Sequence, residues 1–263
     1  MKTIKRIIEV ILGICTLAGV VAFIAERFEK SSSAHVPYGV YEKYVKRPLD
    51  AFLSTGAIIA LSPVMGVTAL LVKKRLGSPV IYKAKRPGKI DGKSGEEKTF
   101  MLYKFRSMTN ETDENGKLLP DTQRLTKFGR RLRSTSIDEL PELLNIFKGD
   151  MSIVGPRPLA FSYLPYYTEE EHHRHDVRPG LTGLAQVNGR NNLTWNEKFA
   201  YDLEYVKRVT FLTDCQIILK TIKSVLSHEG IGQGEDAPGS FRVYRQEQRK
   251  IDEKNCACAS ADS

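Results

Sequence analysis

The chain has 263 residues, 41% of them hydrophobic, enough for one domain with a buried core plus membrane-associated segments. Its formal net charge of +9 favours an anionic partner, either a nucleotide, a lipid phosphate or a nucleic acid. The cysteines at positions 15, 215, 256 and 258 form no paired framework, and Cys256 and Cys258 lack the further ligands that a zinc site needs. This excludes a disulfide-bonded scaffold and predicts a reduced protein that faces the cytosol.

Residues 1–40 are predicted to form an N-terminal hydrophobic anchor and linker. The apolar run 7–25 is broken only by Glu9 and is just long enough to cross a bilayer. Lysines and an arginine before it, and Ser32-Ser33-Ala34 after it, also give it the look of a signal peptide. We favour an anchor because nothing downstream suggests disulfides. Basic residues on both flanks leave its orientation open.

Residues 41–75 are predicted to form a re-entrant membrane helix. Positions 51–72 carry no charge over 22 residues, which is long enough for a spanning helix. Ser62 and Pro63 lie at the middle, where proline removes a backbone hydrogen bond and bends a helix. Both ends are basic, which favours the cytoplasmic side for both. A helix that enters, breaks at Ser62 and Pro63 and leaves on the same side fits these features; the alternative is a kinked spanning helix.

Residues 76–230 are predicted to form a cytosolic catalytic domain, followed by a polar, partly disordered C-terminal tail, 231–263. Between Lys73 and Lys89 there are seven lysines and arginines and no acid, which suits anionic headgroups. Short strands are predicted at 79–82 and 100–105, with a turn at Arg86-Pro87-Gly88 and a loop at 110–121. Lys104 and Arg106 project from one face of the second strand and are candidates for a common charged site.

Asp138 and Glu139 form an adjacent carboxylate pair. Ser136 and Glu139 have capping-box spacing, and the apolar residues after them recur at helical spacing, which predicts a helix that ends at Gly149. In one interpretation the acids serve only the helix terminus. In the other, the cations bind phosphate while the acids hold Mg²⁺ or attack phosphorus. Those cations are Arg124, Lys127, Arg130, Arg131, Arg133 and Arg157.

Three segments complete the predicted catalytic domain. The first contains His172, His173 and His175, and clustered histidines on a polar helix are more often solvated than bound to metal. The second, 178–191, is rich in glycines and amides, which suits either a nucleobase or sugar site or a structural loop. Helical periodicity returns over 195–206 and 214–226. The binding candidates of the second segment are Arg178, Gln186, Asn188 and Arg190.

A series of motifs between about Tyr44 and His228 covers about two-thirds of the chain. In order, they are Lys46-Arg47-Pro48-Leu49-Asp50, Ser62-Pro63, Tyr103-Lys104-Phe105-Arg106-Ser107-Met108, Arg133-Ser134-Thr135-Ser136-Ile137-Asp138-Glu139-Leu140, the run from Lys148 to Pro158, Arg178-Pro179-Gly180-Leu181-Thr182-Gly183, and Gln186-Val187-Asn188-Gly189-Arg190-Asn191. The set resembles the bacterial sugar transferases, the monotopic phosphoglycosyl transferases, and most of all their small, minimal-core members. The resemblance does not extend to residues 1–40.

The resemblance implies an α+β, mainly helical fold with a re-entrant helix, a small β-hairpin and interfacial helices. It places the protein in the bacterial inner membrane with the catalytic domain on the cytoplasmic face. The implied reaction moves a phosphosugar from a UDP-sugar to undecaprenyl phosphate and releases UMP, which begins glycan or polysaccharide assembly. The partners would be these two substrates and the lipid bilayer.

The same resemblance assigns roles to matching residues. Asp138 would be the nucleophile that forms an aspartyl-phosphosugar intermediate, Glu139 would assist it, and both would organise Mg²⁺. Arg133 and Arg157 would bind phosphate, with Arg106 a weaker candidate.

Two other classes of function are open at this point. A sugar-cleaving glycosyltransferase would release UDP, but such enzymes often hold their metal with Asp-x-Asp, which this sequence lacks. A non-catalytic basic adaptor for membrane or nucleic acid would explain the charge but not the acid pair, and we expect no nucleic-acid partner. The identity of the sugar and the oligomeric state, a homodimer included, do not follow from the sequence.

Overall fold

A computed structural model describes residues 35–92, 94–189, 192–226 and 240–250. The fold is mixed α/β and mainly helical, as predicted. The predicted anchor segment at 1–34 lies outside the described residues. A π-helical turn, Tyr41–Val45, leads into the first of eight helices that we label α1 (Lys46–Leu76), α2 (Asp121–Arg124), α3 (Lys127–Ser134), α4 (Glu142–Lys148), α5 (Glu169–His172), α6 (Leu184–Val187), α7 (Trp195–Lys207) and α8 (Phe211–Leu226). The strands are β1 (Ile81–Ile90), β2 (Glu97–Phe105), β3 (Ser152–Val154) and β4 (Gly180–Thr182).

The start of α1 is built into the catalytic domain by two buried charged side chains. Arg47 donates to the backbone carbonyls of Ile146 and Phe147, at 2.8 Å each, and so satisfies oxygens near the end of α4. Asp50 accepts a hydrogen bond from Ser152 Oγ at 2.7 Å. Both charges are paired or hydrogen-bonded, as burial requires.

The other end of α1 is held by the same domain. Arg106 donates to the backbone carbonyls of Leu76 and Ser78 just beyond the last helical turn. Val72, fully buried, packs with Phe105 in one apolar cluster. Both ends of this 31-residue helix therefore contact one folded body.

Helical structure continues through Ser62 and Pro63, so the predicted break is not an interruption of the helix. Pro63 has no N–H to donate to the carbonyl of Ile59, one turn earlier. Ser62 Oγ donates to that carbonyl instead, at 2.8 Å. The Ser-Pro pair thus removes one backbone hydrogen bond and replaces it from a side chain.

The middle of α1 exposes apolar side chains. Within the described residues, Tyr41–Leu76 is a helix long and apolar enough to cross a bilayer, judged by length and composition. Only 17% of its most apolar window is buried, so it is not the covered core helix of a soluble protein. Its exposed side chains include Val64, Val67, Leu70 and Leu71.

The predicted β-hairpin is confirmed, with β1 and β2 paired antiparallel. The predicted turn at Arg86-Pro87-Gly88 is wrong, because these residues lie within β1, where the register shifts after Pro87. A bulge tolerates a proline because it interrupts the ladder of hydrogen bonds. The chain reverses further on, where Gly95 has φ of 72° and its N–H donates to the Asp91 carbonyl.

A second, parallel pair of strands was not predicted. Ser152 aligns with Gly180, and Val154 with Thr182. A Cβ on Gly180 would lie 2.1 Å from the backbone nitrogen of Gly155, so this approach requires glycine. Strands of three residues are too short to show an alternation of polar and apolar side chains in the sequence. They nevertheless fix the start of the loop that follows Val154.

The helices predicted at 195–206 and 214–226 are confirmed as α7 and α8. They share an apolar cluster with β3 that contains Val154, Tyr205 and Ile217. Tyr205 Oη donates to Asp214 Oδ1 at 2.7 Å, which ties the two helices together.

The tail predicted to be polar and partly disordered contains an ordered segment at residues 240–250. Residues 241–250 are helical, and the Phe241 side chain is fully buried. Phe241 lies in an aromatic cluster with Tyr167, Trp195 and Phe199. Most of the segment is polar, so its sequence does not reveal the buried aromatic side chain that anchors it.

Candidate active site

The carboxylates of Asp138 and Glu139 lie in a 3₁₀ turn, Ile137–Glu139, between α3 and α4. The predicted capping box is wrong: Ser136 has left-handed backbone geometry, with φ of 54°, and its side chain makes no capping hydrogen bond. The next α-helix begins later, at Glu142. Glu139 therefore does not cap a helix, and its side chain is directed to cations.

Glu139 is held by two cations through one oxygen. Lys104 Nζ and Arg157 Nη2 each lie 2.7 Å from Glu139 Oε1, and both donate to it. Burial alone would raise the pKa of Glu139, but Arg157 and Lys104 together lower that pKa to about 2. Glu139 is therefore ionised at any physiological pH.

Asp138 has a different environment, although it is the adjacent residue. Its side chain is buried, at 7% exposed, and its carboxylate forms no hydrogen bond or ion pair within the described part of the chain. Burial and the negative charge of Glu139 raise the pKa of Asp138 to about 6, against the opposing effect of nearby cations. At pH 7 about nine in ten copies carry the charge. This is an ionised carboxylate with free lone pairs, as a nucleophile requires.

Lys104 connects this pair to a third acid that the sequence analysis did not name. Its Nζ lies 3.1 Å from Glu142 Oε1. The two groups form an ion pair, but their angles do not make a good hydrogen bond. Glu142 is buried, and burial raises its pKa to about 7 despite Lys104. The sequence signal that could have identified Glu142 is its position three residues after Glu139, since residues at that spacing face the same side of a helical turn.

The prediction that Arg106 and Lys104 share a charged site is wrong. Arg106 follows the end of β2, and its guanidinium binds backbone carbonyls at the end of α1. It is buried there, so the structure gives Arg106 a structural position away from the acids.

The two arginines predicted to bind phosphate are both close enough to lower the pKa of Asp138. Arg133, at the end of α3, donates from Nε to Ser107 Oγ at 2.8 Å. The Arg157 side chain remains 43% exposed while it pairs with Glu139. Both guanidinium groups can therefore present donors to an anion in front of Asp138.

Arg86 is a third arginine at this site, and the sequence analysis placed it in a turn. Its Nε is buried without a hydrogen-bond partner, and no ion pair to it is present within the described residues. Burial lowers the pKa of Arg86, and its charge interacts unfavourably with Arg157 and favourably with Glu142. A desolvated guanidinium without a partner, close to another arginine, is costly unless an anion binds between them.

Residues 178–189 of the segment predicted as a nucleotide or sugar site pack against the backbone at Gly155, just before Arg157. Arg178 Nε donates to the Gly149 carbonyl at 2.9 Å, and Gln186 Nε2 donates to the Leu181 carbonyl at 3.0 Å. Asn188 Oδ1 accepts from Lys220 at 3.2 Å. These three residues thus have contacts that stabilise the fold, which leaves the structural-loop alternative open. Arg190 lies outside the described residues.

The histidine cluster does not match the expectation of solvated side chains. His175 is buried, which lowers its pKa, and its Nε2 has no hydrogen-bond partner. His172 Nδ1 lies 2.9 Å from Glu97 on β2. At least two of the three histidines therefore belong to packing between α5 and the hairpin.

The acid turn fits a magnesium ion by its donor set. No group of three or more His, Cys, Asp or Glu side chains suited to a metal occurs in the described ranges. Mg²⁺ in nucleotide sites needs only one or two carboxylates, since phosphate oxygens and water complete its shell. Both Asp138 oxygens and Glu139 Oε2 are free of hydrogen bonds from described residues, so their lone pairs are available.

The chain is also similar in sequence to proteins of a known family. The sequence model described as bacterial sugar transferase matches residues 41–228, more than half of the chain. The chain belongs to the bacterial sugar transferase family. The match covers α1, the hairpin, the acid turn and the loop of Arg157. It ends at residue 228, before the helical segment of this sugar transferase at 240–250.

Individual relatives of the sugar transferase differ in length. This chain is 49% identical over 189 residues to the uncharacterized sugar transferase EpsL of Bacillus subtilis. The aligned residues cover 72% of this chain and 91% of EpsL. Identity to the exopolysaccharide production protein ExoY of Sinorhizobium fredii is 37% over 202 residues, or 70% of this chain and 87% of ExoY. The undecaprenyl-phosphate galactose phosphotransferase of Salmonella typhimurium is 36% identical over 205 residues, which are 72% of this chain and 42% of that protein. The chain therefore spans most of the first two relatives but under half of the third.

Proposed function

We propose that this protein transfers a phosphosugar from a UDP-sugar to undecaprenyl phosphate, releasing UMP. The product is an undecaprenyl-diphosphate-sugar, the starting point of a glycan or polysaccharide. Family membership and the name of the Salmonella relative support this kind of reaction. The observation that carries the proposal is the buried, unpaired carboxylate of Asp138 beside the cation-bound carboxylate of Glu139.

The reaction divides into two displacements at the same phosphorus. An Asp138 carboxylate oxygen attacks the β-phosphorus of the UDP-sugar, and the bond from that phosphorus to the bridging oxygen breaks. UMP leaves with the bonding electrons, and Asp138 becomes an acyl phosphate that carries the sugar. A phosphate oxygen of undecaprenyl phosphate then attacks this phosphorus and restores the carboxylate. One small site can thereby serve a soluble and a lipid substrate in turn.

The surrounding charges suit this chemistry. Arg133 and Arg157 bind oxygens of the diphosphate, and Arg86 supplies a further guanidinium that has no partner among the described residues. Lys104 holds Glu139 in place and keeps it ionised. Asp138 then stays the one free carboxylate of the pair.

Asp138 and Glu139 would hold Mg²⁺ through the oxygens that accept no hydrogen bond within the described part of the chain. When bound, Mg²⁺ neutralises diphosphate charge and makes UMP a better leaving group. The protein supplies the two carboxylates and the arginines that set the diphosphate in front of Asp138.

The membrane position that we propose is supported by α1. Its exposed apolar middle suits lipid, and its two ends both contact the catalytic domain, which supports entry and exit on one side. The exposed Phe211, Leu212, Leu219 and Ile222 of α8 suit an interfacial helix. We place the domain on the cytoplasmic face of the bacterial inner membrane, where UDP-sugars are made and polyprenol phosphate heads lie.

The proposal is tested by UMP release from a panel of radiolabelled UDP-sugars, using membrane-bound protein with and without undecaprenyl phosphate. Without the lipid, we expect about one UMP per enzyme and label on the peptide that contains Asp138. Asp138→Asn should give neither product. Asp121→Asn is the control, because that carboxylate is 75% exposed and lies on a different helix. Release of UDP would instead indicate a sugar-cleaving glycosyltransferase, and no nucleotide release from any sugar would contradict both.

A further inference from the structure

The C-terminal segment 240–250 inserts one aromatic ring into the catalytic domain. The Phe241 side chain is fully buried. Its ring centroid lies 5.1 Å from those of Trp195 and Phe199, 5.4 Å from Tyr163 and 5.5 Å from Tyr167. Edge-to-face and tilted contacts at these distances are favourable. The segment therefore completes an aromatic cluster that would otherwise expose several large rings to water.

A second contact fixes the segment one helical turn further on. Arg245 forms an ion pair with Glu171, and its guanidinium carbon lies 5.1 Å from the Phe241 ring centroid. Glu171 is itself part of the capping box of α5, where it binds the backbone N–H of Thr168. The segment is thus attached both to the aromatic cluster and to α5, at a residue three positions before Arg174.

Arg174 connects this cluster to the active site. It is buried, at 3% exposed, and its guanidinium carbon lies 5.7 Å from the Phe199 ring centroid and 5.8 Å from that of Tyr167. Both rings also contact Phe241. Arg174 pairs with Asp202 at 2.7 Å and donates from Nη2 to the backbone carbonyl of Arg157, also at 2.7 Å.

The Arg157 side chain needs a fixed backbone because much of the side chain is not packed against other residues. Its side chain pairs with Glu139 at the tip while 43% of its surface remains open. The carbonyl bond from Arg174 fixes the backbone from which that side chain extends. A guanidinium that must meet a diphosphate within a few tenths of an ångström requires a rigid base.

We propose that residues 240–250 are a positioning element of the active site, which acts through Arg174 to set the backbone of Arg157. The inference rests on the proposed function, since it gives Arg157 the role of binding the diphosphate of the UDP-sugar. It assigns a role in that site to a segment beyond the part of the chain that matches the family. Phe241, Arg245 and Arg174 touch no reacting atom in this scheme, so each is a positioning residue.

The experiment compares Phe241→Ala with Val243→Ala in the full chain. Val243 lies on the same helical segment but is exposed, so it is the matched control. Trp195 is the sole tryptophan of the sequence, so its fluorescence reports specifically on the cluster that Phe241 fills. Steady-state UMP release gives kcat and KM for the UDP-sugar. Ile217→Ala, which removes a buried side chain from the separate cluster around Tyr205, is the control for general destabilisation.

We expect F241A to move the Trp195 emission to longer wavelength and to raise KM for the UDP-sugar about three- to tenfold, with a smaller change in kcat. V243A should leave both unchanged, and I217A should lower thermal stability without moving the Trp195 emission. If F241A gives no folded protein, Phe241→Leu, which keeps apolar volume without an aromatic face, goes through the same measurements.

Two results would overturn the inference. An emission shift with unchanged KM would mean that the segment docks but does not position Arg157. Unchanged emission would mean that Phe241 does not fill the cluster in solution. Absence of UMP release in the unmodified chain would be a failure of the proposed function, and the fluorescence comparison would still report whether the segment docks.

Discussion

Asp138 and Glu139 are adjacent in sequence, yet their carboxylates have opposite electrostatic environments. Glu139 accepts hydrogen bonds from two cations and has its pKa lowered to about 2, whereas Asp138 accepts none from described residues and has its pKa raised to about 6. One acid is fixed and permanently charged, and the other is free and close to titration. This difference suits Asp138 to the nucleophilic role proposed above and Glu139 to a supporting one.

The first prediction concerns the pH dependence of the first half-reaction. Attack by Asp138 requires its ionised form, so the rate should fall as pH decreases through about 6. Single-turnover UMP release between pH 5 and 8, without the lipid acceptor, measures this directly. A rate that increases toward pH 5 would rule out a carboxylate nucleophile.

The second prediction is that matched substitutions of the two acids change stability in opposite directions. The folded pKa of Asp138 is above its unfolded value, so above pH 6 its buried charge costs stability. Asp138→Asn should therefore raise the free energy of unfolding at pH 7 by about 3 kcal/mol, and the gain should disappear toward pH 4. Activity should be lost in the same variant.

Glu139→Gln provides the opposite half of this comparison. The folded pKa of Glu139 is below its unfolded value, so its charge contributes stability above about pH 4 that is lost as pH falls through about 2. The variant also leaves Lys104 and Arg157 without their shared partner, so it should unfold at lower temperature at pH 7. Thermal unfolding of both variants in one detergent is the measurement, and equal shifts would contradict the assigned environments.

A third prediction concerns Arg86, whose guanidinium has no partner among described residues. If a diphosphate is its ligand, Arg86→Gln should raise KM for the UDP-sugar about tenfold, and UMP should lose affinity as well. Lys83→Gln is the control, because Lys83 is exposed and an odd number of positions away along β1, on the other face. Unchanged affinity for both nucleotides would show that Arg86 is structural.

The fourth prediction tests the topology of α1. Lys43 and Lys74 flank the apolar part of the helix, and both are exposed. In a variant without native cysteines, single cysteines at these positions should react with a membrane-impermeant maleimide from the same side of an inverted vesicle. Labels on opposite sides would mean that the helix spans the bilayer. Positions such as Ser54 and Val72 are unsuitable, because both are fully buried against the domain.

The sequence predicts the long elements well because their signals are local. An uncharged run predicts α1, and helical periodicity predicts α7 and α8. The hairpin is predicted less well, because its first strand is expected at 79–82 but extends over Ile81–Ile90. The acid pair and its arginines are visible for a similar reason: adjacent charges of opposite sign in a short stretch need an explanation.

Other features depend on partners that are distant in the chain. Ser136 looks like a cap, but its left-handed backbone follows from how α3 and the acid turn pack. Arg106 looks like a phosphate ligand, but the carbonyls at the end of α1 bind it. Glu142 and Arg86 become relevant only when β1, β2 and α4 meet. No periodicity in the sequence could indicate these contacts.

The hydrogen bonds made by Arg47 and Asp50 have a practical consequence for anyone who produces this enzyme. Removing the apolar helix to obtain a water-soluble fragment would take Arg47 from the carbonyl of Phe147 and Asp50 from the backbone N–H of Ile153, two hydrogen bonds at the base of the catalytic domain. Such a fragment should misfold rather than lose its lipid attachment alone. The two ends of the helix belong to the enzyme's interior, so purification has to preserve their contacts with the domain as well as a suitable environment for the apolar middle.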